Sequence, residues 1–134
     1  MAKGIPTIQK FMTTVPVCVE AGAPLTRARL LFAENDIRHL PVLGPNGLVG
    51  LLTDRDLKLV MSLQVHAGDV KVADVMRTEV YTVTPHAPLD EVAAEMAAGK
   101  YGSAVVVDNR KVVGIFTTVD ACRALSELLL SRLT

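Results

Sequence analysis

The chain has 134 residues, 50% of them apolar but only 4% aromatic with no Trp, and its 14 basic residues balance 14 acidic ones to a formal charge of zero. That length holds one ordinary domain or two very small ones that need each other, and the absence of a net basic field argues against a general nucleic-acid binder. No apolar run approaches the roughly 18 residues of a membrane-spanning helix, and residues 1–10 lack the apolar core of a signal peptide, so a soluble cytoplasmic protein is expected.

Displacing the chain by 64 residues aligns 8–64 with 72–128 without a gap, and 13 of the 57 pairs are identical. Ordinary composition gives about 4 by chance. The chain therefore reads as a tandem duplication: repeat 1 over 8–64, a linker over 65–71, repeat 2 over 72–128, and the end of a C-terminal helix over 129–134.

In chain order, residues 15–19 form a β-branched run that predicts a strand. Pro24 suits the first turn of a helix whose face is Leu25, Ala28 and Phe32, and Asn35 falls where a left-handed stop is wanted. Strands over 39–43 and 48–52 follow, joined through Gly44-Pro45-Asn46-Gly47 into a hairpin, and then a helix over 54–64. Repeat 2 has its helical face at Leu89, Val92 and Met96, its stop at Gly99, a hairpin of 103–107 and 112–116 through Asp108-Asn109-Arg110-Lys111, and a closing helix over 118–132. The fold class is α+β, with the order β-α-β-β-α twice. Halves of about 60 residues bury too little surface alone, so they are expected to pack through their sheets about a pseudo-twofold axis, and clefts between such halves favour small ligands.

The segment Gly50-Leu51-Leu52-Thr53-Asp54-Arg55-Asp56 is repeated as Gly114-Ile115-Phe116-Thr117-Thr118-Val119-Asp120. It places a glycine at a strand end, a hydroxyl next, and an acid three positions later at a helix start. One reading is a capping box, with Thr capping a free amide and Asp returning to the amide of the cap residue. The other is nucleotide contact: helix amides and a Thr hydroxyl meet an anion, the aspartate accepts from ribose hydroxyls, and the glycine lets a flat group approach the backbone.

These paired segments, with Phe11-Met12-Thr13-Thr14 and Asp74-Val75-Met76-Arg77-Thr78 opening the two repeats and Ile37-Arg38-His39-Leu40-Pro41-Val42 between, resemble a CBS-domain pair, or Bateman module, over residues 8–128. The resemblance implies a regulatory sensor of adenosine-containing ligands (AMP, ADP, ATP or S-adenosylmethionine) bound in clefts between the repeats. It places ribose on Asp56 and Asp120, and ribose or phosphate on Thr53 and Thr117. Phosphate is further assigned to Arg38 or His39, with Arg55 as another basic candidate. The adenine pocket falls on Thr14, Val15, Val17, Ile37 and Leu40 for one site, and on Thr78, Val80, Tyr81, Tyr101, Gly102, Ser103 and Ala104 for the other. Arg38 and Arg55 read equally as solvated surface charges, and His39 as a half-buried strand residue.

The halves differ at these positions: Gly102, Ser103 and Val119 answer Arg38, His39 and Arg55, so one cleft is expected to be the more cationic. Cys18 and Cys122 stand far apart with no further ligand at zinc spacing, and read as fillers of small apolar gaps in a reduced protein. His66 reads as a loop residue and His86 as a structural residue before a helix. No phosphate loop, nucleophile elbow or metal-binding His pair is present, so no enzyme, no metal site and no required cofactor are expected. The leucines of residues 121–133 exceed what one helix face needs. They support a second reading, a ligand-free module that dimerises or holds a partner enzyme or transporter. A stand-alone pair forming a homodimer is expected, without nucleic acid or membrane span.

Overall fold

In the computed structural model, which describes residues 4–133, the elements are β1 (Thr13–Thr14), β2 (Val19–Glu20), α1 (Leu25–Asn35), β3 (His39–Gly44), β4 (Gly47–Thr53), α2 (Asp54–Met61), β5 (Thr82–Val83), α3 (Leu89–Gly99), β6 (Ser103–Asp108), β7 (Lys111–Thr117) and α4 (Thr118–Leu133), with 3-10 turns at Ile8–Lys10, Ala67–Asp69 and Val72–Asp74. Thr134, expected at the end of the last helix, lies outside the described residues. Each repeat yields the anticipated run of strand, helix, two strands and helix. The chain forms two units. One is Val17–Val80; the other gathers the chain up to Pro16 with the chain from Tyr81 onward.

In the unit of Val17–Val80, β2 runs parallel to β3, as the intervening helix α1 permits, and β3 pairs antiparallel with β4 to give the order β2-β3-β4. The helical period of α1 buries Leu25, Ala28, Leu31 and Phe32. They pack with Val19, Leu40, Val42, Leu52, Leu57 and Val72 in one apolar core. Each fully buried aliphatic side chain contributes about 1.5–3 kcal/mol. The outer edge of β4 is met by a single antiparallel bridge between Leu51 and Arg77, closed by Leu51 N–H to Arg77 C=O and Arg77 N–H to Leu51 C=O, both 2.9 Å.

The other unit repeats this plan and lengthens the bridge into a strand. Its sheet order is β1-β7-β6-β5, with Thr13 opposite Ile115 and Thr14 opposite Gly114. Thr13 and Ile115 are the repeat equivalents of Arg77 and Leu51, so the same contact occurs in both units. Ile8, Leu89, Val92, Met96, Ala104, Val106, Phe116 and Ala124 form its core. Each unit is thus completed by the lead-in of the other repeat: Ile8 N–H donates to Ala87 C=O at 2.8 Å, and Val72 N–H to Ala23 C=O at 2.9 Å.

The structure departs from expectation in four places. Of the strand placed at 15–19 only Val19 pairs, as the start of β2; β1 ends at Thr14, and the stretch between them begins at Val15, whose φ of 48° is left-handed and which is 89% exposed. The chain leaves one unit for the other at this point, so no single ladder spans the run. The left-handed stops are Asp36 (φ 50°) and Lys100 (φ 55°) rather than Asn35 and Gly99. Asn35 stays helical and its Nδ2 donates to Leu31 C=O at 2.9 Å, while the missing Cβ of Gly99 makes room for the Tyr101 ring. Helix α2 ends at Met61 instead of 64, where Ser62 N–H returns to Lys58 C=O and Gln64 turns left-handed. Cys122 is exposed on α4 and fills no gap, whereas Cys18 is half-buried, its thiol pushed up by burial and by the Glu20 charge.

The hairpins are as anticipated and close differently. Gly47 supplies a φ of 117° that L side chains rarely adopt, while β6 and β7 turn through Asn109 and Arg110 at φ 50° and 67°. Two successive positive values are the pattern of a type I′ turn.

Candidate functional site

In each unit the hairpin register sets one polar pair at the mouth of a helix. His39 lies opposite Thr53 and Ser103 opposite Thr117, and the helices α2 and α4 begin at the next residue. The first helical amide is tied to the residue just ahead of the hairpin's first strand, Asp54 N–H to Arg38 C=O at 2.9 Å and Thr118 N–H to Gly102 C=O at 3.1 Å. His39 Nδ1 and Ser103 Oγ are buried and have no hydrogen-bond partner among the described residues. Buried polar atoms are seldom left this way. Their occurrence at equivalent positions of the two repeats marks the same spot twice.

Burial alone holds the His39 imidazole below its ordinary value. The neutral ring is therefore favoured in the folded state. Its stabilising contribution is complete above the unfolded value of about 6.5 and is lost as pH falls towards the folded one. Urea titrations at pH 7.5 and 5.5 are expected to show a smaller drop in stability for His39→Gln than for the parent chain.

The two threonines cap as the simpler reading requires, and their aspartates differ. Thr53 Oγ1 accepts from Asp56 N–H at 3.1 Å, but no bond from the Thr53 backbone N–H to the Asp56 carboxylate matches the one at Thr117. The Asp56 carboxylate accepts from Arg77 instead, Nε to Oδ2 at 2.9 Å and Nη2 to Oδ1 at 3.2 Å. These hydrogen bonds hold the Asp56 carboxyl below its ordinary value against the opposing effect of burial, helped by Thr53 and by the charges of Arg77 and Arg55. Asp120 completes the capping box: Oδ2 accepts from Thr117 N–H at 3.0 Å, and Asp120 N–H donates to Thr117 Oγ1 at 3.3 Å. Its carboxylate also accepts from Thr117 Oγ1, from Arg123 Nη1 at 3.0 Å and from Thr13 Oγ1 at 3.3 Å. With its residue 4% exposed, Asp120 is buried among these donors.

The glycine of the motif admits a methionine where the sequence reading set a flat ligand. A Cβ on Gly50 would stand 2.5 Å from Met76 Sδ and 2.8 Å from Arg77 C=O, and one on Gly114 would meet Met12 Sδ. The close approach is real, and each glycine receives the lead-in of the other repeat.

The expected base-pocket residues divide between the units. Val17, Ile37, Leu40, Thr78 and Val80 belong to one, and Thr14, Val15, Tyr81, Tyr101, Gly102, Ser103 and Ala104 to the other. Leu40 and Ala104 are core side chains, so they offer only backbone groups to a ligand. Tyr81 and Tyr101 are brought together and stack at 5.2 Å, each covering one face of the other. Arg55 is exposed at the helix start. Arg38 lines a groove of about 480 Å³ with Arg29, Phe32, Asp36, Asp54 and Lys58, and neither Asp56 nor His39 lines it.

Sequence reasoning misses Arg77, Thr13 and Arg123. The first two are findable, because they sit beside the matched Met76 and Met12 at the one place in the lead-in where a neutral hydroxyl in repeat 1 answers a cation in repeat 2. Among the described residues no three His, Cys, Asp or Glu side chains cluster as metal ligands, and no helix is long and apolar enough to cross a membrane.

The chain is 29% identical over 114 residues to the CBS domain-containing protein YhcV of Bacillus subtilis, covering 85% of this chain and 81% of that one. The solved CBS domain pair of protein MJ0100, in complex with 5′-methylthioadenosine and S-adenosyl-L-methionine, superimposes with a TM-score of 0.83 at 25% identity, over 92% of this chain and 98% of that one. CBSX2 in complex with AMP does so with a TM-score of 0.77 at 26% identity, over 91% and 97%. The CBS domain profile matches residues 8–62 and again 72–127, the same two stretches that the internal repeat superimposes, and the chain belongs to the CBS domain family as a tandem pair.

Proposed function

We propose that the chain is a regulatory module that senses an adenosine-containing nucleotide and has no catalytic role. The observation that carries this reading is the doubled arrangement at the helix mouths: a buried polar atom without a partner at His39 and at Ser103, across the ladder from Thr53 and Thr117, with Asp56 and Asp120 one helical turn on. A purine offers donors and acceptors that would satisfy such atoms, and a ribose offers hydroxyls to a carboxylate. Further support is that two proteins of similar fold, the CBS domain pair of MJ0100 and CBSX2, are in complex with 5′-methylthioadenosine and S-adenosyl-L-methionine and with AMP respectively. The base would be held by aliphatic walls and backbone groups, since the two tyrosines already stack on each other.

Binding requires that the ligand stabilise the folded chain, by about 2.7 kcal/mol at a hundredfold excess over Kd. A thermal-shift series with AMP, ADP, ATP, S-adenosylmethionine and cyclic dinucleotides is expected to raise the melting temperature for at least one adenosyl ligand, and Asp56→Ala to diminish that rise. The absence of any shift across the series would refute the reading.

A second reading rests on α4, where Leu125, Leu128, Leu129, Leu130 and Leu133 are exposed while only Asp120 and Ala124 are buried. An unpartnered apolar helix of this kind suits association with a second copy or an effector protein.

A further inference from the structure

The two aspartates that match the ribose-binding position of the motif are held by different chemistry, and the difference sits at one pair of equivalent residues. Thr13 and Arg77 occupy the same position of the two repeats and bond the carboxylates of Asp120 and Asp56 respectively. From this contrast we infer that Arg77 makes binding at Asp56 depend on a phosphate, so that this site takes nucleoside 5′-phosphates and discriminates against adenosyl compounds with a neutral or cationic 5′ group. The inference deepens the nucleotide-sensing reading and rests on it.

The geometry sets a competition. The Arg77 guanidinium places Nε and Nη2 on both oxygens of Asp56, at 2.9 and 3.2 Å. A ribose cis-diol needs those same two acceptors, so ribose and guanidinium exclude each other at this carboxylate. The Arg77 side chain is 63% exposed and that of Asp56 18%. The arginine is therefore the partner free to swing away, while the aspartate stays fixed at the start of α2.

Displacing Arg77 leaves a fully charged, fork-shaped donor set without its carboxylate. A 5′-phosphate re-pairs that guanidinium bidentately, because its oxygens match the same fork. An uncharged 5′-thioether gives it no anion, and a sulfonium repels it. At Asp120 the neutral Thr13 hydroxyl reaches both oxygens at 3.3 Å, and its displacement strands no charge. The cation at that carboxylate, Arg123, is anchored three residues along the same helix and touches only Oδ1.

The test is calorimetric titration of AMP and of adenosine into the full chain and into Arg77→Thr, which installs the residue of the other repeat, and Arg77→Lys, which keeps charge without the fork. Far-ultraviolet melts check that each variant is folded, as expected for a mostly exposed side chain. The binding event followed is the one that Asp56→Asn removes. The parent chain is expected to prefer AMP over adenosine by roughly ten-fold or more, the scale of a charge-assisted hydrogen bond. Arg77→Thr brings the two affinities close to equal, chiefly by weakening AMP, and Arg77→Lys falls between. An unchanged ratio in Arg77→Thr overturns the assignment while leaving nucleotide sensing intact. A ratio lost instead in Arg38→Ala or Arg55→Ala also overturns it. Failure of the parent chain to bind any adenosyl compound overturns the nucleotide reading and this inference with it.

Discussion

Gly50→Ala is expected to destabilise the chain by about 3 kcal/mol in urea unfolding, and Gly114→Ala by about 1 kcal/mol, although the two glycines are equivalent in the repeat. The obstacle differs. The three atoms nearest a Cβ on Gly114 all belong to the Met12 side chain, which has rotatable bonds with which to retreat, whereas one on Gly50 also meets the Arg77 carbonyl at 2.8 Å. That carbonyl accepts from Leu51 N–H in the bridge that closes the edge of β4, so the added methyl group strains two backbone hydrogen bonds as well as a side chain. A double-mutant cycle separates the causes. Met12→Ala is expected to remove most of the cost of Gly114→Ala, while Met76→Ala removes only part of the cost of Gly50→Ala. Equal rescue at both positions would show that the backbone contact is unimportant.

The second large effect is at Asp120. Replacing it with Ala removes the acceptor for Thr117 N–H, for two threonine hydroxyls and for Arg123, all around a residue that is 4% exposed. Loss of the cap together with the part-buried Thr117 donors left unpaired amounts to about 3 kcal/mol. Asp56→Ala is expected to cost about 1 kcal/mol or less, because it removes an ion pair whose arginine is mostly exposed and leaves the Thr53 cap on the backbone N–H of residue 56 in place. Chemical denaturation of the two variants side by side checks the ordering, and an equal loss would mean that Asp56 is as structural as Asp120.

Much of this architecture is written in local patterns. The internal repeat, the hairpin turns and the helical faces at Leu25, Ala28 and Phe32 or Leu89, Val92 and Met96 all depend on neighbours in sequence, and they appear where the periodicity sets them. The misplacements have tertiary causes. Asn35 has the composition of a left-handed stop, yet it finds a carbonyl one turn back and leaves that conformation to Asp36. Gly99 is needed for the space above it, a demand made by the ring of Tyr101. Val15 belongs to a β-branched run and is bent because its neighbours on either side join different sheets. At the candidate site, Thr53, Thr117, Asp56 and Asp120 are legible because capping and ligand contact use the same residue types at the same spacing. Arg77 stands out in the repeat alignment as the cation that answers Thr13, but its pairing with Asp56 is not legible, since Asp56 lies in the other repeat and nothing in the spacing joins them.

The placement of Met12 and Thr13 in one unit and of Met76 and Arg77 in the other bears on how such a chain arose. Here the lead-in of each repeat lies on the hairpin of the other, so a polypeptide with one repeat, placed in the same way, would leave the outer edge of its own hairpin open. Two such polypeptides would close both sheets by trading their first residues, which is a domain swap. Joined in tandem, the trade becomes intramolecular, at an effective concentration of about the millimolar range for a short linker. Severing the chain within residues 65–71 would reverse this step, turning a first-order folding reaction into the association of two fragments, with a stability that depends on their concentration.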